Sequence, residues 1–363
     1  MFLRTENWTP YKIGTAEELY WFAGLVNGTL PGVKKDLSAN AILTDDIIVN
    51  TGVLDPNKDL VSGNDFIEWI PIGKSSSDDD AYTGTFDGNG HTISGLYFNK
   101  SNSWYVGLFG CIGAEGKISN VGVSDSYFQS SNCPYIGGVC GSNSGELQNC
   151  SNSSTVIGKE NEYRIGGVCG YNSGTVKDCK NTGSVRGKET IGGVCGNNSG
   201  TIKNCYNTAS VSGQYSVGGV CGDNYEGPIT NCYYLSGTVA DGKGGIGGKD
   251  DENGKAEKMS LEQFKSGEVA WLLNGSKSVS TEESTLAWYQ KLGENADAYP
   301  ILKSTDHNTV YKAPLFSCDG TTRIGEYANK PEGDKLSHNY QMAEKADEGT
   351  SNLYSEECAI CHN

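Results

Sequence analysis

The chain has 363 residues, with 50 glycines against nine prolines, and a formal net charge of -16 at pH 7. That charge argues against nucleic acid or anionic lipid as a main partner, because both require a basic surface. The glycines follow no three-residue collagen period, and hydrophobic residues make up 36% of the chain, too many for a disordered one. The expectation is a folded, glycine-rich β protein.

No apolar run approaches the ~18 residues of a membrane span, and no hydrophobic segment of a signal peptide follows Met1-Phe2-Leu3-Arg4. The chain is then either cytosolic or a piece of a longer secreted protein. Thr15-Ala16-Glu17-Glu18 has the form of a capping box, followed by Leu19, Phe22, Ala23 and Val26 at helical spacing and by Gly28 as a stop. This predicts a helix over 15–27 within an N-terminal cap, 1–40, that covers the first open strand edge. Ala41 to Val49 reads as one or two strands, and Phe66 to Ile72 as another carrying Trp69. The acidic run Ser75 to Asp80 lacks EF-hand spacing and reads as a solvated loop rather than a calcium site. Tyr82 to Tyr97 alternates apolar and polar residues around Asp87-Gly88-Asn89-Gly90, a strand, turn, strand signal. Asp87 and His91 suggest acid-base chemistry, but a turn aspartate bonding its own backbone is the commoner use.

The centre of the chain repeats. Ile136-Gly137-Gly138-Val139-Cys140-Gly141 returns at Ile165, Ile191 and Val217, at spacings of 29, 26 and 26 residues. Each copy leads to an Asx-Cys pair, Asn149-Cys150, Asp178-Cys179, Asn204-Cys205 and Asn231-Cys232, and then to a third short apolar run. Three short strands per unit at this period read as a solenoid whose units bury their apolar faces against one another. Ten of the 13 cysteines lie between Cys111 and Cys232, eight of them at two fixed positions of the repeat. Parallel strands ~4.8 Å apart stack equivalent residues. Cys140, Cys169, Cys195 and Cys221 then form one thiol ladder, Cys150, Cys179, Cys205 and Cys232 a second, and Asn149, Asp178, Asn204 and Asn231 a polar one.

With Val106-Gly107-Leu108-Phe109-Gly110 the chain resembles the bacterial GLUG-repeat proteins, named for Gly-Leu-hydrophobic-Gly. Gly107 to Gly110 matches outright, whereas Gly138 to Gly141 and its copies put valine for leucine and cysteine as the hydrophobic residue. Trp69 to Gly73 and Phe86 to His91 look like lead-in coils of such proteins, so the resemblance covers about 11–240. It implies an all-β, right-handed parallel β-helix over 41–240, clearest at 106–236, in an extracellular or cell-surface protein of adhesin-like type.

Beyond Cys232 the pattern dissolves into a glycine-rich loop at Asp241 to Gly248. Ser260-Leu261-Glu262-Gln263 is a second capping box, opening a helix through Phe264, Val269, Trp271 and Leu272 that stops at Asn274-Gly275. Trp288 to Gln290 and Tyr299 to Leu302 read as strands, making 241–315 a small mixed α/β C-terminal cap. The tail, 316–363, is polar and ends in Cys358-Ala359-Ile360-Cys361-His362. That string fits haem attachment, half a zinc site completed by Cys318 or His338, a disulfide or free thiols.

Two functions compete. One is a non-enzymatic surface module, a monomer that binds a host or neighbouring-cell glycan or an extracellular protein or serves as a spacer, with Tyr105, Tyr135 and Tyr163 in variable loops as its contacts. The loops meant are 74–81, 98–104, 125–135 and 158–164. The other is a glycan-cleaving β-helix enzyme, or the non-catalytic repeat part of a larger peptidase. Glycan cleavage needs paired carboxylates, and only Asp45, Asp46 and Asp87 offer themselves in the early coils. No catalytic residue, cofactor or nucleic-acid partner is assigned.

Overall fold

A computed structural model describes residues 9–75, 77, 79–132, 134–159, 164–240, 243–247, 255–275, 286–291, 296–302, 313–316 and 323–327. The chain divides into two compact units, Met1–Lys258 and Met259–Asn363. The first is a parallel β-solenoid built from five sheets, two of eight strands and three of five.

Each full coil contributes five short strands rather than the three expected. In one coil these are Tyr135–Gly137, Cys140–Asn143, Glu146–Gln148, Ser151–Asn152 and Thr155–Lys159. Each pairs in parallel with its counterparts in the coils before and after. Two local features make the extra corners. The Asx residues Asn120, Asn149, Asp178, Asn204 and Asn231 hold φ between 52° and 58°, a left-handed conformation in which a short polar side chain is favoured among non-glycine residues. The Gly-Gly pairs make the other corner, between the Tyr135 and Cys140 strands.

At that corner glycine is a steric requirement. A Cβ on Gly137, Gly166, Gly192 or Gly218 would lie 2.2, 2.0, 1.9 or 1.9 Å from the carbonyl oxygen of the cysteine three residues on. Inside, Ile136, Val139, Cys140, Leu147, Cys150 and Val156 and their counterparts in later coils form one continuous buried column.

The N-terminal end of the solenoid is closed as expected. Helix α1 (Ala16–Asn27) begins with the Thr15 and Glu18 capping box and ends on Gly28 at φ 65°. Its Leu19, Phe22, Ala23 and Val26 join the solenoid core, with Phe22 against Tyr82 and Phe86. Trp69 is buried and donates its indole N–H to the carbonyls of Gly107 and Leu108. Its segment forms only isolated bridges, Glu68 with Tyr97 and Ile72 with Phe109, rather than a full strand.

Two segments read as loops are instead paired. Tyr97–Ser101, which overlaps the stretch 98–104, and Tyr127–Ser131, inside 125–135, are five-residue strands in register with each other. Their alternation is masked by serine, asparagine and glutamine, which bond along the sheet, for example Gln129 Nε2 to Asn99 Oδ1 at 2.6 Å. In the glycine-rich segment, Gly244 and Gly245 accept bonds from Gly219, Val220 and Cys221, so 244–247 extend the last coil.

In the second unit the predicted helix is two, α2 (Leu261–Lys265) and α3 (Glu268–Leu273), because Gly267 at φ 83° interrupts it. Trp288–Tyr289 pairs antiparallel with Ile301–Leu302, and Ala313–Phe316 with Arg323–Tyr327.

Candidate binding surface

The repeat generates its most distinctive chemistry as columns of identical side chains. Cys140, Cys169, Cys195 and Cys221 are register partners, and both predicted thiol ladders are buried and unbridged. Along the first ladder each Sγ donates to the carbonyl two residues on, at 3.0 or 3.1 Å. Burial pushes the thiols of Cys140 and Cys195 well above the usual range, while for Cys169 between them burial is outweighed by hydrogen bonds from those two neighbours, which lower it. All of these thiols are buried away from solvent, so the ladders are packing elements.

Two further columns lie inside. Asn143, Asn172, Asn198 and Asn224 pass amide bonds from coil to coil at 2.8 Å each. Asn152, Asn181 and Asn207 do the same, again at 2.8 Å. The second column sits over the second glycine of each pair: a Cβ on Gly138, Gly167 or Gly193 would meet the asparagine carboxamide at 2.2 to 2.4 Å. The signal for both columns is an asparagine at a constant offset from cysteine, three after the first and two after the second. Sequence reasoning passed over it because polar residues are ordinarily assigned to the surface.

On the outside, Tyr105 and Tyr135 are register partners at the start of their strands. Their rings stack 5.1 Å apart and 5° from parallel, the spacing that one coil of rise imposes. Arg164, immediately before the register pair of Ile165 with Ile136, takes the next place and sets its guanidinium 5.1 Å from the Tyr135 ring centre and 5.7 Å from that of Tyr171. Tyr171 closes on Tyr135 from the adjoining sheet at 5.8 Å. Trp104, beside Tyr105, is 67% exposed. The result is a half-exposed stripe of aromatic faces carrying one cation, with Tyr105, Tyr135 and Tyr171 on strands and Trp104 and Arg164 each immediately before one. Aromatic pairs and cation–π contacts of this kind contribute about 0.5–1.5 kcal/mol each.

The remaining anticipated residues fall elsewhere. Tyr163, Cys318, His338, Cys358 and Cys361 lie outside the described residues, as do the other residues of the Cys-x-x-Cys-His string. Tyr127 is buried, its hydroxyl donating to Gln129. Asp87 accepts from the Asn89 backbone and from Asn120 Nδ2, bonds that assign it to a turn and to the Asx column. His91 sits 3.4 Å from Asp46 rather than against Asp87. Lys35 pairs with Asp80 and holds its carboxyl below the ordinary value, so part of the acidic run is tied down. Among the described residues no three metal-ligating side chains gather.

A model of the GLUG motif matches residues 161–186 and 187–212. The chain is 38% identical over 84 residues to halomucin of Haloquadratum walsbyi, a match spanning 23% of this chain and 1% of that protein. It is 33% identical over 78 residues to a candidate Gly-rich membrane protein of Evansella cellulosilytica, spanning 21% of this chain and 9% of the relative. Among solved structures it is similar to a candidate immunoglobulin A1 protease from Bacteroides ovatus, with a TM-score of 0.49 at 18% identity over 82% of this chain and 93% of that one. The matched repeats share their Gly-Gly-Val-Cys-Gly register with the coils on either side, so over residues 161–212 the chain carries two GLUG motifs, each within a coil of the solenoid.

Proposed function

We propose that this chain is a repeat module of a cell-surface or secreted protein, and that it binds glycans through the stripe of Trp104, Tyr105, Tyr135, Arg164 and Tyr171 without cleaving them. The carrying observation is the stack of Tyr105 on Tyr135 continued by Arg164. Flat aromatic faces with a negative quadrupole suit the C–H faces of sugar rings, and a tyrosine fixed by its strand has few torsions left to freeze on binding. Arg164 supplies a fixed cation for an acidic substituent on such a sugar. Extracellular placement draws support from the names of the two relatives and from the repeat itself. The test is a glycan array run beside a product assay on the bound polysaccharides. Binding lost on Tyr135→Ala with no products released supports the module; cleavage abolished by Asp46→Ala or Asp87→Ala overturns it in favour of an enzyme, and binding unaffected by Tyr135→Ala removes the stripe from the reading.

A further inference from the structure

The outer Asx column has one hydrogen too few. Read from its C-terminal end, the Tyr233 hydroxyl donates to Asn231 Oδ1, Asn231 Nδ2 to Asn204 Oδ1 and Asn204 Nδ2 to Asp178 Oδ1, the last two at 2.9 Å. Beyond the next step the chain resumes, Asn149 Nδ2 donating to Asn120 Oδ1 and Asn120 Nδ2 to Asp87 Oδ1, again at 2.9 Å. The direction is the same throughout. The missing link is Asp178 to Asn149, adjacent in the stack because Gln148 and Lys177 just before them are register partners.

This gap follows from counting. Asn120 and Asn149 stand between two aspartates, so three contacts along the column share only two amide donors, and turning either amide over merely moves the shortage. The structure places it where water cannot supply a hydrogen. Asn149 Oδ1 is buried with no hydrogen-bond partner, and Asp178 is 2% exposed. A buried acceptor left unpaired and a buried carboxylate are both unfavourable, and a single proton removes both penalties.

We propose that Asp178 is protonated in the folded protein and donates that proton to Asn149 Oδ1, making the column one unbroken chain that opens when the pH rises. The surrounding charges are few. Burial, the largest influence, raises the proton affinity; the hydrogen bond from Asn204 and Lys177 Nζ, 3.4 Å from Asp178 Oδ2 and itself part-exposed, oppose protonation. The neighbouring coils present only the amides of Asn149 and Asn204 to the carboxyl, with Lys203 in register beside Lys177.

The sign follows from linkage. A carboxyl whose proton affinity rises on folding contributes stability fully below its unfolded value of about 3.9 and loses it as pH rises through the folded value. Asp178→Asn puts a permanent donor in the same place. Infrared difference spectra of wild type minus this variant, taken near pH 6, are expected to show the carbonyl stretch of a protonated carboxyl, and the melting temperature of the variant should gain on wild type between about pH 4 and pH 8. Asn149→Ala, which removes the acceptor, should shift the loss of that band to lower pH. Should Asp178→Asn fail to fold, the wild-type band is followed alone against pH and against Asn149→Ala. A wild type with no such band near pH 6, or a band indifferent to Asn149→Ala, overturns the proposal.

Discussion

Asn181→Ala tests whether the inner amide columns hold the coils together. Asn181 Oδ1 accepts from Asn152 Nδ2 at 2.8 Å and from the backbone of Gly183 at 3.3 Å, while its Nδ2 donates to Asn207 Oδ1 and to the Gly183 carbonyl, both at 2.8 Å. Residues 152, 181, 183 and 207 are all buried, so alanine takes their side-chain partner from the Gly183 N–H and carbonyl, while Asn152 Nδ2 and Asn207 Oδ1 each keep one bond, to Ser154 and from Ala209. At about 1–3 kcal/mol for each buried group left unpaired, the loss should be about 2–5 kcal/mol. Equilibrium urea denaturation followed by circular dichroism measures it, with Lys203→Ala as the control. Lys203 is exposed at the end of the Thr201–Lys203 strand, so its change should stay within about 0.5 kcal/mol. A loss at Asn181 below about 1 kcal/mol would refute the argument, since it would mean the bonds contribute no more than those at the surface.

Asn181→Asp should transfer the proton shortage of the outer column to the inner one, because an aspartate cannot donate to Asn207 Oδ1. Buried there, its proton affinity should rise on folding, so the variant should lose stability relative to wild type as pH climbs above about 4, and a pH-independent difference in urea midpoint would contradict this. Gly192→Ala puts a Cβ 1.9 Å from the Cys195 carbonyl oxygen and 2.7 Å from the Gly222 nitrogen; both are backbone atoms, so neighbouring strands must part, and the melting transition should record a loss of about 3 kcal/mol or more. The ladder thiols should resist a water-soluble disulfide reagent in the native protein even near pH 9 and react on unfolding. Rapid native labelling of Cys140 or Cys195 would show that the ladder opens.

Much of the solenoid is legible in the sequence because a stacked fold repeats its local requirements in every unit. The spacing of Ile136, Ile165, Ile191 and Val217 predicts parallel register, and that register is observed. Thr15, Glu18 and Gly28 set the limits of α1, since capping is decided by groups a few residues apart. The Asx residues before the second cysteine announce a polar column for the same reason. Other features were hidden from pattern reading: Gly267 splits a helix whose apolar spacing runs on, and Tyr97–Ser101 and Tyr127–Ser131 form strands although their polar residues resemble loops.

The candidate site divides along the same line. Sequence alone singled out Tyr105 and Tyr135, but as contacts in variable loops; their register pairing on adjacent coils came from the structure. Only tertiary structure decided that Arg164 continues their stack and that Tyr171 reaches it from the adjoining sheet, whereas Tyr127 turns into a buried contact with Gln129. The same holds inside. Sequence determined which residue types recur, Cys, Asn and Gly at constant offsets, but their depth depends on where the chain bends. Those bends, at left-handed Asx residues and at glycine pairs pressed against the next coil's backbone, exist only when coils stack; each alone has no neighbour to define inside from outside.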